Sequence, residues 1–117
     1  MGDETVWIIE KRLWTEGASA WRESLDPLAL MVLPEPAGIM RASAARASVE
    51  DAPRWAQVEM SERTLVRPTH DLIVIAYRAR GRREDGSSYE ALCGSTYRLA
   101  DDRWRMVQHQ QTPISGT

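Results

Sequence analysis

The sequence predicts an α+β domain in which a curved antiparallel (mixed) sheet wraps around N-terminal helices to form a cone. Residues 70–112 form three successive period-two runs of β-branched, aliphatic and aromatic residues, which is typical of antiparallel strands. Residues 3–17 instead repeat their apolar side chains at helical spacing, with acids first and bases later. Helices followed by a run of strands are the order expected of an α+β domain.

Local apolar patterns predict the elements between these two regions. In chain order they are a helix over residues 19–24, strands over 28–33 and 39–41, a helix over 43–49, a helical turn at Pro53 and a strand over 55–67. The turn pairs Asp85-Gly86 and Asp101-Asp102 then divide residues 70–112 into three strands.

Composition predicts one globular domain spanning residues 1–117 and argues against several functions. A formal charge of -2 and a pI near 5.7 give no electrostatic reason to bind nucleic acid. The longest apolar run, LIVIAY, is far shorter than a membrane span. Because Cys93 is the only cysteine and the first residues lack a signal-peptide pattern, we expect a reducing, cytoplasmic location.

If both turn pairs are two-residue hairpin loops, the pairing of the three long strands is fixed, and it assigns each side chain to the inner or the outer face of the sheet. Arg78 then lies opposite Cys93, and Tyr97 lies opposite Met106. The predicted inner face carries Leu72, Val74, Ala76, Arg78, Cys93, Ser95, Tyr97, Leu99, Trp104, Met106, Gln108 and Gln110. The predicted outer face carries Ile73, Ile75, Tyr77, Leu92, Gly94, Thr96, Arg98, Arg105, Val107 and His109. A slip of one residue in either turn would exchange the two faces.

The predicted outer face has an apolar centre that should not be left exposed to water. Its members are Ile73, Ile75, Tyr77, Leu92 and Val107. A contiguous apolar patch of this kind predicts a partner surface, and a symmetric homodimer is the commonest arrangement.

The predicted inner face becomes polar toward one end, which indicates a pocket for a small apolar or anionic ligand. The predicted ligand-binding residues are Trp14, Trp55, Arg78, Cys93, Ser95, Tyr97, Gln108 and Gln110. Arg78 could bind a ligand carboxylate or pair with Glu59 on the neighbouring strand. The tryptophans could equally be core residues, and Cys93 a buried inert thiol.

Three residues are candidates for proton transfer, namely Tyr97, Gln108 and His109. The predicted facing places His109 outside, where it would be an interface histidine. His70 follows Pro68-Thr69 and is interpreted as a turn residue. Since the two histidines have the wrong spacing and lie on different faces, we predict no metal site. We also expect no cofactor.

The chain resembles the nuclear transport factor 2-like superfamily, in its SnoaL-like and ketosteroid-isomerase-like branch of small bacterial proteins. The resemblance is carried by WIIEKRLW near the start and by VIAYRARGRREDGSSYEALCGSTYRLADDRWRMVQHQQTP. It implies a cone-shaped domain over residues 1–117, a cavity between the helices and the inner face, and a homodimer through the outer face. The final strand departs from the family by having Gln110 where members often have histidine, and no aspartate is clearly placed as a base.

The resemblance leaves three functions open. The first is a homodimeric pocket protein that binds a small molecule. The second is a cofactor-free isomerase, cyclase or dehydratase that transfers protons in the cavity. The third is a structural association module whose cavity is filled by its own side chains.

Overall fold

The computed structural model describes residues 2–48 and 55–114, and its elements follow the predicted order. They are α1 (Asp3–Thr15), α2 (Ala18–Ser24), β1 (Leu25–Leu33), β2 (Gly38–Arg41), α3 (Ala42–Ser48), β3 (Gln57–Thr69), β4 (Leu72–Arg82), β5 (Ser88–Ala100) and β6 (Arg103–Pro113). The helical turn predicted at Pro53 lies outside the described residues.

The six strands form one mixed sheet in the order β2-β1-β6-β5-β4-β3. Every neighbouring pair is antiparallel except β1 and β6, which are parallel. Helix α1 packs on the inner face with Val6, Trp7, Leu13 and Trp14 buried. The predicted α+β architecture, with helices on one face of a mixed sheet, is confirmed.

The register between β4 and β5 differs by one residue from the prediction. Residues 83–87 connect the strands, and Arg82 pairs with Ser88. Gly86, with φ 89°, donates its backbone N–H to the carbonyl of Arg83, and Arg83 donates to the carbonyl of Ser87. A connection with an odd number of residues shifts the pairing by one relative to a two-residue turn, so Tyr77 lies opposite Cys93.

The predicted facing of β4 is therefore wrong. Ile73, Ile75 and Tyr77 lie on the inner face and are at most 3% exposed, so they belong to the core. Of the predicted interface residues, Leu92 does lie on the outer face, where it is 49% exposed. Arg78 also lies outside, where its Nε is 2.6 Å from a carboxylate oxygen of Glu62 rather than paired with Glu59.

The turn between β5 and β6 has the predicted length, but a bulge changes the register farther along. Asp101 and Asp102 both have positive φ, as a two-residue hairpin turn requires, and Tyr97 pairs with Met106 as predicted. Because Thr96 then pairs with Gln108, Val107 is an extra residue in β6.

Beyond this bulge the predicted facing of β6 is reversed. His109 lies opposite Ser95, and Gln111 lies opposite Cys93. His109 is therefore on the inner face and 4% exposed, whereas the predicted inner residues Gln108 and Gln110 lie on the outer face.

In the part of the chain that the structure describes, none of the helices combines the length and apolar character needed to cross a membrane.

Candidate functional site

Helix α1 carries one acid on its buried face, and this acid is the centre of the site. Glu10 is 1% exposed. Its Oε1 accepts a hydrogen bond from the hydroxyl of Tyr97 at 2.6 Å. Its Oε2 accepts hydrogen bonds from Tyr77 at 2.6 Å and from Ser95 at 2.7 Å. Burial of the carboxylate is thus offset by three hydroxyl donors from β4 and β5.

His109 extends this cluster toward the cavity. Its Nδ1 lies 2.6 Å from the Ser95 hydroxyl oxygen and 3.3 Å from Oε2 of Glu10. Its Nε2 lies 3.1 Å from the amide nitrogen of Gln111. With the Gln111 amide in this orientation, the amide donates to Nε2, so the neutral imidazole carries its proton on Nδ1. Nδ1–H then donates to Ser95, which donates to Glu10.

Two further aromatic residues connect the cluster to the cavity wall. The hydroxyl of Tyr89 donates to the amide oxygen of Gln111 at 3.1 Å. The indole N–H of Trp14 donates to the hydroxyl of Tyr77 at 3.0 Å. The chain of hydrogen bonds therefore runs from Glu10 through Ser95, His109 and Gln111 to Tyr89.

The surroundings set the protonation states of the buried groups. Burial raises the pKa of Glu10. The Nδ1–H of His109, the charge that His109 carries when it is protonated, and the bonds from Tyr77 and Tyr97 together outweigh burial, so the pKa lies below its ordinary value of 4.5. Burial and the charge of Glu10 raise the pKa of both Tyr77 and Tyr97 well above 10.0. Near neutral pH the cluster thus contains a charged carboxylate and two protonated tyrosines.

The same two causes act on Cys93. Burial, followed by the charge of Glu10, raises the pKa of its thiol to about 12. Because the thiolate is the reactive form, this supports an inert thiol rather than a nucleophile.

An open cavity of about 610 Å³ lies between α1, α2, the β1–β2 hairpin and the sheet. Buried Glu10 and His109 lie at its floor, and its walls include Trp14, Trp21 and Trp55. Exposed residues of the β1–β2 hairpin and of the β4–β5 connection surround its mouth. A largely apolar cavity with a few polar groups at one end is typical of a small-molecule site.

The aromatic wall requires glycine in β4. The rings of Trp55 and Tyr89 are stacked with centroids 5.7 Å apart, and the centroids of Trp14 and Trp55 are 5.8 Å apart. A Cβ at Gly81 would lie 2.8 Å from Trp55 Cε3, closer than side chains tolerate. Gly81 thus allows the indole rings to lie against the strand.

The structure brings only some of the predicted site residues to the cavity. Trp14, Trp55 and His109 line it. Cys93, Ser95 and Tyr97 are buried on the inner face, where Ser95 and Tyr97 bind Glu10. The predicted inner positions of Arg78, Gln108 and Gln110 are wrong, because these residues lie on the other face of the sheet.

The sequence prediction missed Glu10, Tyr89 and Gln111. Glu10 carried a signal that could have revealed it, because it lies three residues after Trp7 and four before Trp14 on the apolar stripe of α1. Within residues 2–48 and 55–114, no three His, Cys, Asp or Glu side chains are grouped to hold a metal ion.

The lowered pKa of Glu10 predicts a loss of stability in acid. A carboxylate whose pKa is lower in the folded state than in the unfolded chain stabilises the fold fully above the pKa of the unfolded chain, about 4.5. This contribution is lost as the pH falls from there through the pKa of the folded state. Because the chain has other carboxylates, the free energy of unfolding in urea should be measured from pH 7 to pH 3 both for the natural chain and for Glu10→Gln. We expect a shallower decline in the variant; equal declines would contradict the ionised state of Glu10.

Comparisons with known proteins identify the fold. No protein-family model and no curated protein sequence matches the chain significantly. Among solved structures, an NTF2-like protein from Cytophaga hutchinsonii is 16% identical with a TM-score of 0.79, covering 97% of this chain and 100% of that chain. A protein from Parabacteroides distasonis, provisionally assigned as a ketosteroid isomerase, is 15% identical with a TM-score of 0.82, covering 97% and 88%.

A third similar structure is a CaMKII hub homology domain from Chlamydomonas reinhardtii. It is 16% identical with a TM-score of 0.80, covering 98% of this chain and 100% of that chain. The chain therefore has the nuclear transport factor 2-like fold, as the resemblance in sequence implied. At these identities the likeness establishes the fold and leaves the activity to be argued from the site.

Proposed function

We propose that this single domain binds a small, largely apolar molecule in the tryptophan-lined cavity. The observation that carries the proposal is the cavity of about 610 Å³, in which three indole rings surround a floor containing Glu10 and His109. A volume of this size is within the range of small-molecule sites. It also argues against a structural module whose cavity is filled by its own side chains.

Blocking the mouth tests this proposal. Ala37 lies at the exposed rim of the cavity, so Ala37→Trp should obstruct entry with little effect on folding. With 1-naphthylacetamide as the probe, we expect the thermal shift of the natural chain to fall by at least about fivefold in the variant. Ala44→Trp, at an exposed position of α3 outside the cavity, is the control and should retain the shift. Equal shifts in all three proteins would contradict binding in this cavity.

A second candidate function is proton transfer to or from the bound molecule. It is favoured by the contact of His109 with both Ser95 and Glu10, because a buried carboxylate can stabilise the imidazolium that forms when His109 accepts a proton. Of the three candidates from sequence, His109 lines the cavity, Tyr97 donates to Glu10, and Gln108 lies on the outer face.

Exchange of solvent deuterium into 2-tetralone would test this second function. Exchange above background that is lost in His109→Gln would support it. Exchange at the background rate with the natural chain would count against it.

We also propose a homodimer through the outer sheet face, on a set of residues that shares only Leu92 with the predicted interface. Leu30, Val32, Ile39 and Leu92 are all at least 44% exposed. Val32 pairs with Ile39 on one side and with Gln110 on the other, and Gln110 pairs with Gly94, so these positions form one surface. The description of a similar structure as a hub homology domain supports assembly of this domain into an oligomer.

Charge placed on this face should separate the dimer. We expect Leu92→Glu to be folded and monomeric in sedimentation velocity, because a dimer would bury the new carboxylate without a partner. Ile8→Glu is the matched control, since Ile8 is 55% exposed on α1 and away from the sheet. A natural chain that sediments as a monomer, or a Leu92→Glu dimer, would contradict the interface.

A further inference from the structure

Arg83 lies at the mouth of the cavity against its aromatic wall. It belongs to the connection between β4 and β5 and lines the cavity. Its guanidinium carbon is 4.2 Å from the ring centroid of Trp55, and Trp55 stacks on Tyr89. This stacking holds the guanidinium against the aromatic wall at the entrance of the cavity.

The guanidinium of Arg83 has an unused donor. Its Nε is buried and has no hydrogen-bond acceptor. Arg46 and Arg105 also have such an Nε in the described part of the chain, but neither lines the cavity. Asp85, in the same connection, accepts hydrogen bonds from the backbone and hydroxyl of Ser87. These hydrogen bonds and the charge of Arg83 lower the pKa of Asp85, but Asp85 does not accept a hydrogen bond from the Nε of Arg83. A buried charged donor without an acceptor is costly, so a site for an anion is the simplest explanation.

The geometry of the stack favours a planar anion. Arginine lies over an aromatic ring with its flat face, which leaves the N–H groups in the plane of the guanidinium free. These N–H groups match the two oxygens of a carboxylate and can bind them in bidentate fashion.

The charges at the two ends of the cavity also set the orientation of a ligand. Glu10 at the floor is negative and would repel an anionic group, whereas Arg83 at the mouth would attract it. An anionic ligand would therefore bind with its charged group outward and its apolar part against Trp14 and Trp21.

We propose that the cavity takes an amphipathic carboxylate whose apolar body lies among the tryptophans and whose carboxylate binds Arg83. The inference rests on the proposed binding function and names the class of ligand for the same cavity. It moves the carboxylate-binding role considered for Arg78 in the sequence to Arg83, because Arg78 lies outside the cavity and pairs with Glu62.

A matched pair of probes separates this proposal from binding in general. The dissociation constants of 1-naphthylacetate and neutral 1-naphthylacetamide are measured by calorimetry at pH 7 and low salt. With the natural chain we expect the carboxylate to bind about tenfold more tightly, since a hydrogen bond to a charged group contributes that much. In Arg83→Gln this ratio should fall to about one while the affinity for the amide changes less than twofold.

Two further variants complete the experiment. Arg78→Gln removes an arginine from the outer face and should leave the tenfold ratio unchanged. Arg83→Lys keeps the positive charge but loses the planar guanidinium, so the carboxylate should bind more tightly than the amide by less than tenfold. This variant provides the test if Arg83→Gln does not fold.

Each remaining outcome overturns the proposal in a distinct way. A ratio of one in the natural chain, or an unchanged ratio in Arg83→Gln, would remove Arg83 as the anion site and leave the apolar cavity intact. Tighter binding of 1-naphthyl phosphate than of 1-naphthylacetate, lost in Arg83→Gln, would contradict the carboxylate class. Failure of both naphthyl probes to bind would overturn the carboxylate site together with the proposed function.

Discussion

Replacing Glu10 with alanine is expected to lower the free energy of unfolding by about 4 kcal/mol, a large part of the stability of a domain of this size. The hydroxyls of Tyr77, Ser95 and Tyr97 all donate to this carboxylate, and all three residues are buried. Without Glu10 these donors face a cavity and lose their acceptor, which costs about 1–3 kcal/mol for each group that cannot rearrange. Urea unfolding, followed by tryptophan fluorescence, measures the loss.

An exposed acid immediately after the same helix is the control for Glu10. Glu16 follows α1 and pairs with Arg12 at 2.9 Å, but both side chains are at least 36% exposed. Since exposed ion pairs contribute little, Glu16→Ala should change the free energy of unfolding by less than about 1 kcal/mol. A loss below about 1 kcal/mol in Glu10→Ala as well would show that the carboxylate does not organise the site.

Ile75→Glu is expected to prevent folding, whereas a glutamate at the next position should be tolerated. Ile75 is 1% exposed on the inner face of β4, where a new carboxylate would be unpaired and the isoleucine packing would be lost. The expected cost, above about 5 kcal/mol, approaches the total stability of many domains. Circular dichroism and urea unfolding distinguish a folded from an unfolded chain.

Ala76→Glu is the matched control, because Ala76 is exposed on the outer face of the same strand. This variant should fold with a change in the free energy of unfolding below about 1 kcal/mol. The reverse outcome, an unfolded Ala76→Glu and a folded Ile75→Glu, would restore the facing predicted from two-residue turns and contradict the observed register.

The order of the elements could be predicted from sequence because each element has its own local pattern. The helical spacing of Val6, Trp7, Leu13 and Trp14 predicts α1, and strand periodicity predicts β4, β5 and β6. The Asp101-Asp102 turn was also predicted correctly, because two residues that tolerate positive φ adjoin two strong strands.

The register could not be predicted with the same certainty because it depends on counting single residues. Gly86 lies in a tight turn both in the predicted two-residue turn Asp85-Gly86 and in the observed connection over residues 83–87. The two arrangements nevertheless differ by one residue in the pairing of β4 with β5. The residues around Val107 show no sequence pattern that predicts the bulge there. A shift of one residue turns every side chain of the shifted segment to the other face, which explains why His109 was predicted outside.

The candidate site was therefore only partly predictable. Trp14 and Trp55, which were predicted to bind a ligand, line the cavity, and their contact with a ligand stays a prediction. The role of Glu10 as a hydrogen-bond acceptor becomes visible only when α1 is packed on the sheet. Three of its hydrogen-bond partners come from strands at least 67 residues later in the chain. Contacts over such separations arise from tertiary packing and leave little trace in local sequence.

Nitrogen NMR of the two histidine side chains tests the central claim, which is that the cavity above Glu10 and His109 binds a small apolar molecule. The chain has only His70 and His109, and His70 is exposed at the turn between β3 and β4. With histidine labelled by ¹⁵N, titration with 1-naphthylacetamide should shift the ring signals of His109 to saturation and leave those of His70 in place. Ring signals of His109 that stay fixed at saturating probe would contradict the account.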